Sequence, residues 1–150
     1  MIRVQREDFD VGAEIDRLSR GRHGVGGIVS FVGVVRGAAG GEPIGAMTLE
    51  HYPGMTEKLL AEIEAEARQR WPLKDALVIH RYGRLEPGER IVLVITAAAH
   101  RQAAFEACEF LVDWLKTKAP FWKLEETPSG PRWVEARASD DQATKRWVAE

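Results

Sequence analysis

Apolar residues recur along the chain in two rhythms, one of period two and one near 3.6, and each change of rhythm marks an element boundary. Residues 2–5 alternate as a short strand, and Asp10 then offers an N-cap to a short helix with Ile15 and Leu18 on one face. Residues 24–36, GVGGIVSFVGVVR, are β-branched and alternating but interrupted by glycines. That mixture predicts a strand with bends, where backbone or a ligand comes close. The GAAGGE stretch at 37–42 is expected to be an exposed loop, and 46–52 a further strand that breaks at Pro53 and Gly54. From 56 to 71 the spacing of Leu59, Leu60, Ile63 and Ala67 predicts a helix with one buried face.

Residues 77–82 and 91–98 are apolar, β-rich runs separated by Glu86, Pro87, Gly88 and Glu89, whose Pro-Gly pair suits the centre of a type II turn. They are expected to pair antiparallel. The clearest helical periodicity spans 101–116, with Ala104, Phe105, Cys108, Leu111, Val112 and Leu115 on one stripe. Pro120 ends it, and 121–126 with 132–136 read as a hairpin around residues 128–131. After Ser139 the chain is polar apart from Trp147 and Val148, so 139–150 is expected to be a mobile tail unless Trp147 docks it. No internal repeat is present. Strands and helices mix without a strict βαβ alternation, so residues 1–150 are expected to form one α+β domain with a mixed or antiparallel sheet and not a doubly wound parallel fold.

Composition narrows the function. The chain has 150 residues, 45% of them apolar, enough to bury a sizeable core. With 21 basic against 23 acidic side chains it lacks the positive field of a nucleic-acid binder, so any anion must meet a local cluster. The lone cysteine, Cys108, rules out an intramolecular disulfide and any multi-cysteine metal site, which points to a reducing, cytoplasmic setting. Its place on the apolar stripe makes it an inert core thiol. Residues 1–20 are interrupted by charged side chains, among them Arg3, Arg6, Glu7, Asp8, Asp10, Glu14 and Asp16, and hold no apolar run, so neither a signal peptide nor a membrane anchor is expected.

Several segments offer chemistry. At residues 97–101, AAAHR, a buried strand hands over to a helix whose free N–H groups, with His100 and Arg101, favour an anion such as phosphate. The alternative is a solvated Arg101 and a His100 that only caps the turn. At the other end of that helix stand Lys116 and Lys118, with Lys123 following between Trp122 and Leu124. Cations there complement the helix dipole in any case, but Lys116 follows the apolar stripe directly, so its stem is expected to be packed and its amine partly desolvated. Arg36 closes a glycine-bearing strand at the mouth of the 37–42 loop, a place suited to bidentate recognition of phosphate or carboxylate and equally to a plain solvated arginine. Glu50 and His51 have no second pair at ligand spacing and read as structural.

Taken in order, FVGVVR at 31–36, TLEHYPGMTEK at 48–58, VIHRYGRLEPGE at 78–89, AAHRQAAFEA at 98–107, LKTKAPFWK at 115–123 and RWVEARASD at 132–140 closely resemble the catalytic (large) subunits of molybdopterin synthase. The resemblance implies an α/β-hammerhead subunit with an additional β-hairpin, assembled as a homodimer in which each protomer binds a ubiquitin-like small subunit. That partner's C-terminal thiocarboxylate supplies sulfur to cyclic pyranopterin monophosphate, forming the dithiolene of molybdopterin without a metal or redox cofactor. Matched position by position, Lys116 and Lys123 fall on the family's catalytic lysines, and His100, Arg101, Arg36 and Arg137 on substrate-binding positions. Glu125 falls on a carboxylate beside the second lysine, while Val34, Val35 and Leu124 would reach substrate through backbone. Lys118 stands where arginine is also usual, and the 37–44 loop is richer in glycine than the pattern. A second reading is a non-catalytic α+β module that binds a phosphorylated metabolite. Both readings place an anion at His100 and Arg101, but only the enzyme needs a lysine beside a peptide-shaped channel.

Overall fold

The computed structural model describes residues 1–39, 41–134, 142–145 and 147. Along them run β1 (Ile2–Gln5), α1 (Val11–Ser19), β2 (Gly27–Val34), β3 (Ala38–Ala39), β4 (Glu42–Pro43), β5 (Ala46–His51) and α2 (Met55–Arg70). They are followed by β6 (Leu73–Arg81), β7 (Gly83–Leu85), β8 (Arg90–Ala98), α3 (Arg101–Thr117), β9 (Phe121–Thr127) and β10 (Gly130–Val134). Asp10 caps α1 as its position predicts, accepting from the Ala13 N–H at 3.0 Å.

One four-stranded sheet has the order β1-β6-β8-β2, with β1 parallel to β6 and the other pairs antiparallel. A second, antiparallel throughout, has the order β10-β9-β5-β7. This is the α+β, hammerhead-like arrangement with mixed and antiparallel sheets and an added hairpin, β9–β10, that the sequence predicts. The first sheet is covered on both faces. Val78, Val92 and Val94 pack with Cys108, Phe110 and Leu111 of α3, while Leu77, Ile79, Leu93 and Ile95 pack with Phe9 and with Leu18 of α1. Burial on both faces is why β6 and β8 read as continuous apolar runs instead of alternating ones.

Four expectations need correction. Residues 37–42 are not a plain loop: β3 and β4 pair there as a small antiparallel ladder. The 86–89 turn does not join β6 to β8 directly, because β7 leaves first to pair with β5 in the second sheet. The turn itself keeps its type: Gly88 has φ +89° and the Glu89 N–H donates to the Glu86 carbonyl at 3.0 Å. Phe105 is 60% exposed, whereas Ala107 and Phe110 are buried in its place. The fourth concerns Lys116 and is taken up with the site. Of the expected tail, the described Trp147 is docked, its ring 5.6 Å from Trp71 and 5.5 Å from Phe110 and its indole N–H donating to Asp113 at 2.6 Å.

Candidate active site

The start of α3 is set by close backbone packing. Gly26 donates its N–H to the Ala98 carbonyl at 2.9 Å, and a Cβ built on Gly26 would lie 2.1 Å from the Ala99 carbonyl oxygen. Only glycine lets the entry to β2 run this close to the β8–α3 junction. His100 takes the N-cap position with extended backbone and no side-chain cap bond, and the first turn holds no acidic residue. His100 and Arg101 are both exposed. The first N–H groups of α3 therefore face outward with a histidine and an arginine beside them, a suitable seat for an anion.

The far end of α3 carries Lys116, which is exposed, contrary to the packed residue expected from the preceding stripe. The reason is rotational: the buried positions of α3 are Ala104, Ala107, Cys108, Phe110 and Leu111, a face that Lys116 turns away from. Lys123 is half-buried. It lies on the same face of β9 as Phe121 and Glu125, and its cross-strand partner is the buried Leu49. Glu125 is buried, with Arg132 donating to it from Nε at 3.2 Å.

Both lysines act on one buried ring that sequence reasoning did not single out. His80, near the end of β6, stacks on Phe121 with centroids 3.7 Å apart and planes at 13°. Its Nδ1 lies 2.8 Å from the Arg81 carbonyl oxygen. A carbonyl only accepts, so Nδ1 carries the proton and the lone pair is at Nε2. Burial above all, together with the charges of Lys123, Lys116 and His51, pushes the His80 pKa down to about 3 against the opposing pull of the Arg81 carbonyl, so the ring is neutral at working pH. His51 follows its structural reading: Thr56 Oγ1 donates to the Tyr52 carbonyl at 2.8 Å and accepts from His51 Nδ1 at 3.0 Å.

Arg36 is exposed and just beyond β2, whose last residue pairs with Arg90 at the start of β8. His80 pairs with Val92 near that same end of the sheet. Arg36 thus follows β2 at the end of the layer where Lys116 and Lys123 bear on His80. His100 and Arg101 do not join them: fifteen residues of α3 separate Arg101 from Lys116, about 22 Å along the axis. Val35 is buried, and its N–H and carbonyl are engaged by Glu89 and Gly88 at 2.9 Å each, while Val34 is 47% exposed. Leu124 sits mid-sheet, paired with Thr48 on one side and Trp133 on the other. Arg137 lies outside the described residues. Among the described residues no three His, Cys, Asp or Glu side chains converge as metal ligands, and no helix is long and apolar enough to cross a membrane.

The MoaE protein family model matches residues 4–118. A molybdopterin synthase catalytic subunit of Pseudomonas aeruginosa is 59% identical over 146 residues, 97% of this chain and 97% of that protein. The solved structure of a molybdopterin biosynthesis MoaE protein from Burkholderia ambifaria superposes with a TM-score of 0.85 at 52% identity, covering 100% of this chain and 99% of that one. A chain from a protein–protein complex of subunits 1 and 2 of molybdopterin-converting factor from Helicobacter pylori shares the fold, with a TM-score of 0.74 at 17% identity over 91% of each chain. A family model that covers most of the chain and a relative this similar over nearly its full length show that the chain belongs to the MoaE family.

Proposed function

We propose that this chain is the catalytic subunit of a cytoplasmic molybdopterin synthase, transferring sulfur from the C-terminal thiocarboxylate of a ubiquitin-like small subunit to cyclic pyranopterin monophosphate. The observation that carries the reading is that Lys116 and Lys123 bear together on the neutral, buried His80, at the end of the sheet where Arg36 follows β2. Two ammonium groups and a guanidinium suit a step in which negative charge develops on the thiocarboxylate and on the phosphate-bearing pterin. A lysine there neutralises that charge, moves a proton, or briefly accepts the acyl group. The chain works as a homodimer with one small subunit per protomer, by analogy with the relatives it resembles. Exposed Phe105, Val34, Trp122 and Trp133 supply apolar surface for such contacts.

The test is single-turnover sulfur transfer with thiocarboxylated partner and pterin precursor, followed by mass analysis of the product. Lys116→Ala and Lys123→Ala are each expected to slow transfer by about a hundredfold with partner binding intact. The exposure of Lys116 supports an electrostatic role, so Lys116→Arg should stay within about tenfold of the wild-type rate. Lys123 is half-buried on the inner face of β9, where the larger guanidinium fits poorly, and Lys123→Arg should fare worse. Binding of the pterin without product formation would favour the non-catalytic module instead.

A further inference from the structure

We propose that His80 is a positioning residue for the lysine pair: by stacking on Phe121 it fixes the turn from α3 into β9 and thereby the spacing and direction of Lys116 and Lys123. The inference rests on the reading of those lysines as the transferring pair. Only a short link separates the two: α3 ends at Thr117, the Lys118 N–H still donates to the Trp114 carbonyl, and the Phe121 N–H donates back to Ala119 at 2.8 Å as β9 begins. The first β9 side chain on the inner face is Phe121, half-buried between two imidazoles. His80 stacks on it at 3.7 Å, and His51, its cross-strand partner, lies 5.9 Å away at 38°. Successive residues of a strand alternate between faces, so Phe121 and Lys123 turn together. Whatever holds the Phe121 ring also aims Lys123.

His80 holds that ring from a different sheet. It sits on β6, on the same face as Val78, which packs against α3, so the stack ties the two sheets together beneath the C-terminal end of α3. Its own orientation is pinned by the bond from Nδ1 to the Arg81 carbonyl, and only 6% of the residue is exposed. The charged or titratable groups bearing on it are Lys116 from α3, Lys123 from β9 and His51 from β5, with the main chain of Arg81 on its own strand. A cationic residue here would repel both ammonium groups. A neutral imidazole supplies a flat face for Phe121 and a donor for the backbone while adding no charge to the pocket. An aliphatic side chain could fill the volume but not hold the stack in register.

The experiment uses the full chain with its small subunit and compares His80→Leu, Phe121→Leu, the double variant and His80→Phe. His80→Leu and Phe121→Leu are each expected to slow single-turnover transfer by about ten- to a hundredfold, with half-saturation by partner and pterin unchanged, because the lysines are misplaced and not removed. The double variant should be no slower than the worse single one, since both remove the same stack. His80→Phe, which keeps a flat ring, should recover most of the rate. A second readout needs no turnover: with lysines reductively methylated with carbon-13, the Lys116 and Lys123 resonances should move in His80→Leu and Phe121→Leu while those of Lys58 and Lys74 stay in place. Folded His80→Leu that transfers within about twofold of wild type, losses that multiply in the double variant, or unmoved Lys116 and Lys123 resonances would overturn the proposal. If His80→Leu does not fold, the resonances and rate of folded Phe121→Leu decide. Should Lys116→Ala and Lys123→Ala prove active, the reading of the site fails by itself, while the lysine resonances still report whether His80 positions them.

Discussion

A histidine kept neutral by burial makes folding depend on pH in a window that opens above the carboxylate range. The unfolded chain takes up a proton on His80 near its ordinary value of 6.5, and the folded chain does so only near 3. The folded-state value is depressed, so the stability tied to His80 is fully present above the unfolded value and is lost as pH falls toward 3. Inside that window the cost approaches about 1.4 kcal/mol per pH unit. Urea unfolding followed from about pH 6 to about pH 4 should therefore show a clearly steeper loss in wild type than in His80→Phe, and identical slopes would contradict the assignment. Asp75 and Glu14 add acid sensitivity only at lower pH. Burial alone would raise each carboxyl, but the Ala76 N–H with Arg22 and Arg68 outweighs it for Asp75, and Arg3 with Arg17 does so for Glu14. Cys108 is the opposite kind of buried group. Burial, with Glu109 behind it, pushes its thiol up to about 12, which makes it inert and agrees with its reading as a core residue. The contrast explains what a sequence reveals at this scale. Cys108 sits in a helical stripe whose period announces burial, whereas His80 is a lone histidine in an apolar strand, and its partner Phe121 comes from another sheet, so no spacing along the chain connects them.

Elements whose side chains follow one period were legible, and those decided by tertiary contacts were not. The stripe of α2 and most of that of α3 come directly from the 3.6 period, and β6 and β8 from their unbroken apolar runs. Phe105 misled because it fits the period but lies at the margin of the buried arc, where Ala107 and Phe110 face the sheet instead. The β3–β4 ladder has two residues per strand, too few to show any alternation. The glycines of the 24–36 segment were read as bends for close approach, and at Gly26 that approach is the Ala99 carbonyl. Substitution there separates sterics from propensity. Gly26→Ala must displace main chain at the junction that starts α3 and should cost about 3 kcal/mol. Gly12→Ala in α1, where the new Cβ would meet only Asp10 Oδ1 at an ordinary 3.6 Å, should be neutral or stabilise by about 0.5 kcal/mol. Denaturant midpoints of the two variants give the comparison, and a Gly26→Ala protein as stable as wild type would mean that the β8–α3 junction yields freely.

At the scale of the whole molecule the candidate site is divided. The resemblance carries over His100 and Arg101 as substrate-binding positions and Lys116 and Lys123 as catalytic ones, and within one protomer α3 holds the two groups apart. A rigid helix holds its two ends about 22 Å apart, well beyond the distance at which a lysine and an arginine side chain can reach each other. In a twofold-symmetric dimer the separation ceases to be an obstacle, since the α3 start of one protomer can meet the lysine end of the other, and the same contact is made twice. That arrangement makes a quantitative prediction. Arg101→Ala and Lys116→Ala should each be nearly inactive as homodimers. When the two proteins are mixed and allowed to exchange subunits, half of the dimers are mixed, and each mixed dimer holds one site with both wild-type residues and one with neither. Activity should then rise to about a quarter of the wild-type value. Sites contained within single protomers would give no recovery, because every site would still lack one residue. Sedimentation of the mixture, run beside the assay, establishes that dimers form and exchange, and a fully active monomer would remove the shared site altogether.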